Sequence, residues 1–266
     1  HLDGIDVACR DGGDLTVPRP ESATDADSLE SGRAKYLDAT AEVCERVAAA
    51  VDDTVAAGEF PLVLGGDHTV AIGTANGLAR HGDVGVVWFD AHGDFNTPRT
   101  TPSGNVHGMA LAAILGDGYF AGREWADAGI DPANVAIVGA RDLDDQERER
   151  LRDSAVTVYT ISDIDERGIG PVVRDAVDVA KGAETVHASL DMDLLDPDES
   201  PGVGTPVRGG VTYREAHAAM ELLADRAGDD LGAFEVVEVN PILDRHNRTA
   251  ELACELTASA FGKRVL

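Results

Sequence analysis

Cysteine is scarce in this chain: Cys9, Cys44 and Cys254 are the three among 266 residues. They form no CxxC pair, and an odd count leaves one unpaired in any disulfide scheme. A disulfide framework is not expected, and a reduced cytoplasm is the expected compartment. No apolar stretch approaches the roughly 20 residues that span a bilayer, so a membrane helix has no support. The opening His1-Leu2-Asp3-Gly4 carries neither a basic segment followed by an apolar one nor a small-residue cleavage site, and no secretory signal is expected there. It also lacks an initiator methionine, as a processed or truncated start would.

Positive charge is scarce too. Only Lys35, Lys181 and Lys263 are lysines, and 22 basic residues face 49 acidic ones, for a formal charge of −27. Nucleic acid is therefore not an expected partner. Such self-repulsion destabilises a compact state in dilute buffer, but at about 1 M salt the Debye length falls to about 3 Å and most of it is screened. The balance fits a salt-rich cytosol of the halophilic type.

What is present is a regular alternation. Apolar runs of strand length occur at 61–64, 84–89, 135–138, 156–159, 185–190 and 234–239. Segments of helical period lie near 33–57, 70–80, 145–152, 171–181, 213–226 and 249–261. The clearest helix places Leu37, Ala41, Cys44, Val47, Val51 and Val55 along one stripe and stops at Gly58. Continuous hydrophobic strands alternating with helices imply a mostly parallel sheet covered on both faces, an α/β fold of three layers, α-β-α. No low-complexity linker and no repeat of fixed period divides the chain, so residues 1–266 read as a single domain. Ligands of open parallel sheets bind in the crevice outside the carboxyl ends of the strands.

The chemistry sits at those ends. After the run 84–89 come Asp90, His92 and Asp94 at a spacing of two, which projects them to one side if the chain is still extended. After 185–190 come Asp191 and Asp193, and after 61–64 comes Gly65-Gly66-Asp67-His68. A lone DxD or GGDH is ordinarily a solvated turn. Three such clusters ending three core-like strands are not. Four carboxylates and two imidazoles cannot share a crevice unpaired, because buried like charges are costly. Two divalent cations would neutralise them, and carboxylate-rich ligation without thiolate suits Mn²⁺ better than structural Zn²⁺. Such a pair of ions lowers the pKa of water from about 15.7 toward neutrality.

The segments Gly65-Gly66-Asp67-His68-Thr69, Asp90-Ala91-His92-Gly93-Asp94 and Ser189-Leu190-Asp191-Met192-Asp193 resemble the three metal-binding signatures of the ureohydrolases. That family comprises arginases, agmatinases and formimidoylglutamases, and the likeness runs from about residue 58 to the end of the chain. It implies an arginase-like fold and two Mn²⁺ held by His68, Asp90, His92, Asp94, Asp191 and Asp193, with hydroxide attacking a guanidinium carbon. Asp94 counts among the catalytic residues as well as the ligands. A homotrimer or homohexamer is implied too.

Within the family, Asn96-Thr97-Pro98 and Ser103-Gly104-Asn105-Val106-His107-Gly108 resemble the substrate loop of the arginase branch. There the positions of Asn96, Ser103 and Asn105 hold the α-carboxylate of L-arginine, and that of His107 shuttles protons to the leaving amine, work suited to an imidazole. Asp142, Asp144 and Glu147 match acids near the α-amino group, with Asp144 foremost. Glu238, which interrupts the apolar run 234–239, matches the residue that binds the guanidinium, and Thr205 lines the same pocket. The implied reaction releases L-ornithine and urea. An agmatinase or another guanidino-compound hydrolase is the alternative, and an inactive metal-binding regulatory subunit the remote one. Two departures stand out. The family usually begins with a further strand and a glycine-rich loop, whereas this chain enters just before the second strand, and Leu194 stands where a small residue is common.

Overall fold

A computed structural model describes residues 2–5, 7–19 and 34–264. Among them α1 runs from Leu37 to Ala56 and buries Leu37, Cys44, Val47, Ala48 and Val51, the expected stripe. The start of that expected helix at residue 33 lies outside the described residues. The remaining elements follow as β1 (Leu62–Leu64), α2 (Val70–Leu78), β2 (Val84–Phe89), α3 (Ala110–Ile114), β3 (Val135–Ala140), α4 (Asp145–Asp153), β4 (Thr157–Thr160), α5 (Ile161–Arg167), α6 (Ile169–Ala180), β5 (Thr185–Asp191), α7 (Tyr213–Ala227), β6 (Leu231–Val237) and α8 (Arg248–Ala260). All six expected strands are present. Short α3 and α5 were not expected.

The six strands form one sheet in the order β1-β6-β5-β2-β3-β4, and every pair is parallel. Alternation along β2 divides the core. Val84, Val86 and Trp88 face a cluster with α1, α2 and α3, while Val87 and Phe89 face the cluster of α5, α6, α7 and α8. The expected three-layer sandwich results. None of the described helices is long and apolar enough to cross a membrane.

From β2 the chain winds outward to β3 and β4, then returns to lay β5 on the other side of β2. The connections leaving β2 and β5 therefore run to opposite faces, α3 on one and α7 on the other. Their divergence opens a crevice at the carboxyl ends of the two central strands.

Two local readings are corrected. The sixth strand ends at Val237, so Glu238 is not a strand residue; it turns into the left-handed region at φ +65°. The chain after β2 is not extended through Asp94 either, because Asp94 has φ +48°. Leu194, the unusual residue after the second aspartate pair, turns fully into the core. Gly139 makes room for it: a Cβ there would lie 2.4 Å from Leu194 Cδ1.

Candidate metal centre

Asp90 follows β2 directly and is completely buried. Its Oδ2 accepts from Trp88 Nε1 at 2.9 Å and stands 3.1 Å from Nδ1 of His68. Its Oδ1 accepts the backbone N–H of His92 at 2.6 Å and stands 3.3 Å from Nδ1 of His92. One carboxylate thus turns an oxygen toward each imidazole. Asp94 Oδ2 and Asp191 Oδ2 approach His68 Nδ1 to 3.1 and 3.2 Å, and Asp193 Oδ2 approaches His92 Nδ1 to 3.0 Å. The six residues singled out from the sequence therefore converge as two sets that share Asp90. In each of His68/Asp90/Asp94 and Asp90/His92/Asp193, the donor atoms lie within 4.8 Å of one another.

Whether a cation fits can be judged from His68. It is buried, and its Nε2 lies 2.7 Å from Ser189 Oγ. Its Nδ1 makes no hydrogen bond yet faces three carboxylate oxygens, which outweigh the opposing effect of burial and raise this imidazole well above its ordinary value. A buried ring nitrogen aimed at three anionic oxygens marks a place for positive charge, which a metal ion between them would supply.

The electrostatics agree. Burial, then the charge of Asp90, pushes Asp94 up to about 6. Burial, then the charges of Asp193 and Asp90, raises Asp191 well above the ordinary carboxylate range. Burial opposes the charge on His92, but Asp193 and Asp90 outweigh it and push the imidazole up to about 12. Burial likewise opposes ionisation of Asp90, and the two histidines overcome it, holding that group low. These carboxylates coexist only with positive charge among them.

A cavity opens beside the cluster, lined by His68, His92, Asp94 and Asp191 together with Asn96, Thr101, Ser103, His107, Asp142, Asp144, Glu147, Thr205 and Glu238. His107 Nδ1 lies 3.1 Å from Glu238 Oε1, which raises the imidazole above its ordinary value against the opposing effect of burial. The same oxygen accepts the His68 N–H at 3.2 Å. A buried glutamate at φ +65° is a strained residue, held there by its surroundings. Asn96 donates to Asp144 Oδ2 at 2.9 Å, and Thr205 Oγ1 to Asp193 Oδ2 at 3.1 Å.

Two expected site residues stand differently. Asn105 does not line the cavity; it is exposed and its Oδ1 accepts from Lys35 Nζ at 3.3 Å. Glu147 reaches the cavity but its oxygens accept the N–H groups of Phe95 (2.8 Å) and Asp144 (3.1 Å), so it braces two loops. Burial pushes it up to about 7.

Sequence reasoning missed four contributors. Trp88 stacks on His68 with ring centroids 3.9 Å apart, and Ser189 holds Nε2 of that ring. Thr101, buried, lines the cavity. Arg141 donates to the carbonyls of Asp193, Val207, Leu194 and Leu195 at 2.6, 2.8, 3.1 and 3.3 Å, fixing the backbone that carries the second aspartate pair. Trp88 and Ser189 each stand two residues before an aspartate of the cluster, which is the one signal the sequence offers for them.

The family model described as "Arginase family" matches residues 2–262, so the likeness begins far upstream of residue 58. The arginase of Brevibacillus brevis is 48% identical over 272 residues, covering 100% of this chain and 88% of that protein. The arginase of Bacillus caldovelox is 44% identical, covering 100% of this chain and 89% of that protein. The crystal structure of an arginase from Bacillus subtilis superposes with a TM-score of 0.91 at 44% identity, covering 100% of this chain and 88% of the other.

Proposed function

The chain belongs to the arginase family, and from that premise we propose that it hydrolyses the guanidinium group of L-arginine to L-ornithine and urea at a dinuclear manganese centre. The observation that carries the reading is Asp90, whose two oxygens face two different imidazoles and so suit a carboxylate shared by two ions. His68, Asp94 and Asp191 would hold one ion and His92 and Asp193 the other. Divalent manganese bound there supplies Lewis acidity and activates water at neutral pH. The carboxylate-rich, thiolate-free donor set supports Mn²⁺.

The chain's own groups do the rest. Glu238 supplies the negative charge that aligns a guanidinium and fixes the ring of His107, which holds a proton for the leaving amine. The neutral donors Asn96 and Ser103 suit the α-carboxylate, whereas Asn105 is engaged by Lys35. Asp142 and Asp144 offer negative charge to the α-ammonium; Glu147 acts there by bracing Asp144. Thr205 steadies Asp193. One catalytic domain, a reduced cytoplasm of high salt, and assembly as a homotrimer or homohexamer complete the reading. The charge of −27 supports the salt-rich setting. Exposed Leu64 and Ile242, on β1 and beyond β6, supply apolar surface for self-association.

Substrate choice tests this reading. A site built to hydrogen-bond a carboxylate leaves buried polar groups unpaired when agmatine binds. We expect kcat/KM for arginine to exceed that for agmatine by about 100-fold, about 2.7 kcal/mol, and the double replacement Asn96→Ala with Ser103→Ala to shrink the ratio chiefly by harming arginine. Equal use of the two substrates would assign the chain to another guanidino-compound hydrolase of the same family.

A further inference from the structure

Beneath the cluster lies a polar set that the hydrolytic reading does not use. Thr74 on α2, His187 on β5 and Glu235 on β6 are each completely buried. Thr74 Oγ1 donates to Glu235 Oε2 at 2.6 Å, and Glu235 Oε1 stands 3.2 Å from His187 Nε2. Neither ring nitrogen of His187 makes a hydrogen bond and Glu235 Oε1 accepts none, so the approach of the two groups is electrostatic. Burial disfavours the charge on Glu235, yet the facing imidazole outweighs it and leaves the carboxyl below the ordinary glutamate range. A carboxyl buried this deeply beside an imidazole is a poor device for stability, because well-packed apolar side chains of similar volume commonly serve as well or better. Its place in the fold offers another use.

α2 begins just after His68, so the helix that Thr74 anchors is the one that fixes this imidazole. On the sheet, Glu235 lies in register with Ser189, the residue that holds His68 Nε2, and β5 runs on to Asp191. β6 leads from Glu235 to Glu238, whose Oε1 accepts the His68 N–H. Thr74, Glu235 and His187 therefore tie together the three elements that meet at His68. His92 is held differently, from the loop after β2 and by Asp193, whose backbone is braced by Arg141.

We propose that Glu235, with Thr74 and His187, is a positioning residue for His68, setting the affinity of the ion on the His68 side of the centre while leaving the ion on the His92 side unaffected. The inference rests on the dinuclear reading above. Groups that orient a metal ligand typically change affinity about 10- to 100-fold when removed.

The test titrates metal-free full-length protein with Mn²⁺, following free ion by electron paramagnetic resonance and bound ion by elemental analysis. It compares the wild type with Thr74→Val, Thr74→Ser and Glu235→Gln. Leu223→Ala, a buried truncation in α7 on the opposite face, serves as the control for simple destabilisation. Thr74→Val and Glu235→Gln should weaken one of two ions at least about tenfold and leave the other within about twofold, with Thr74→Ser restoring wild-type binding. They should lower kcat while KM for arginine moves little. Should Glu235→Gln fail to fold, the threonine pair decides alone. Unchanged binding, or equal weakening of both ions as in Leu223→Ala, would overturn the inference. A wild-type chain that takes up no manganese would remove the dinuclear reading and this inference with it.

Discussion

Arg141 never reaches the cavity, yet its guanidinium gathers four backbone carbonyls of the segment that carries Asp193 and of the turn at Val207. Burial lowers its pKa, and nearby Asp193 and Asp90 partly offset that. Replacing it with methionine keeps much of the bulk but leaves buried carbonyls without donors, at about 1–3 kcal/mol for each group truly cut off from water. We expect Arg141→Met to lower both the melting temperature and manganese affinity, and Arg141→Lys to recover little, since one ammonium cannot match a planar fork. Manganese titration of the two variants checks this; wild-type affinity in Arg141→Met would show that the loop holds its shape unaided. The contrast with the clustered carboxylates and imidazoles shows what a sequence displays. Asp90, His92, Asp94, Asp191 and Asp193 were legible because charged residues at the ends of apolar strands need a partner to be buried. Arg141 was not, because its partners are main-chain carbonyls whose positions only the fold defines. Asn105 carried the right chemistry for a substrate carboxylate, but no spacing could tell that it faces Lys35 and not the cavity.

At the scale of elements, the strands were legible because both faces of a central parallel strand are covered, which writes an unbroken apolar run into β2 and β3 and leaves Val186, Ala188 and Leu190 alternating with buried polar residues in β5. The helices α3 and α5, of five and seven residues, were not. Neither is long enough to express a helical stripe, and every residue of α3 is buried. The end of β6 was misplaced because Val237 and Val239 flank Glu238 with apolar residues and hide the turn between them. One contact was also invisible. α2 presents Gly73 and Gly77 to α1, where a Cβ would come within 2.6 Å of the carbonyl oxygens of Cys44 and Ala48 respectively. Backbone cannot yield as a flexible side chain does, so Gly73→Ala must push the two helices apart. We expect it to destabilise the fold by about 1–3 kcal/mol, read as a lower denaturant midpoint at unchanged slope. An unaltered midpoint would mean that the α1–α2 packing has slack, and with it the placement of His68.

For the whole molecule, charge and catalysis make separate claims. The formal charge of −27 is spread over acids that are mostly exposed, so its repulsion is screened by salt. The melting temperature should therefore climb as KCl rises into the molar range, and a flat or falling curve would dismiss the halophilic reading without touching the site. The catalytic proposal concerns the sheet as one body: β2, β5 and the loop after β1 deliver the six proposed ligands to one crevice, and the connection after β2 delivers the loop proposed to read the substrate. Its most direct test is urea release from L-arginine by protein stripped with a chelator and then resupplied with single metals. The account predicts no urea from the stripped protein and the fullest recovery with Mn²⁺ at two ions per chain. Activity that survives removal of metal, or recovery with Zn²⁺ but none with Mn²⁺, would contradict it.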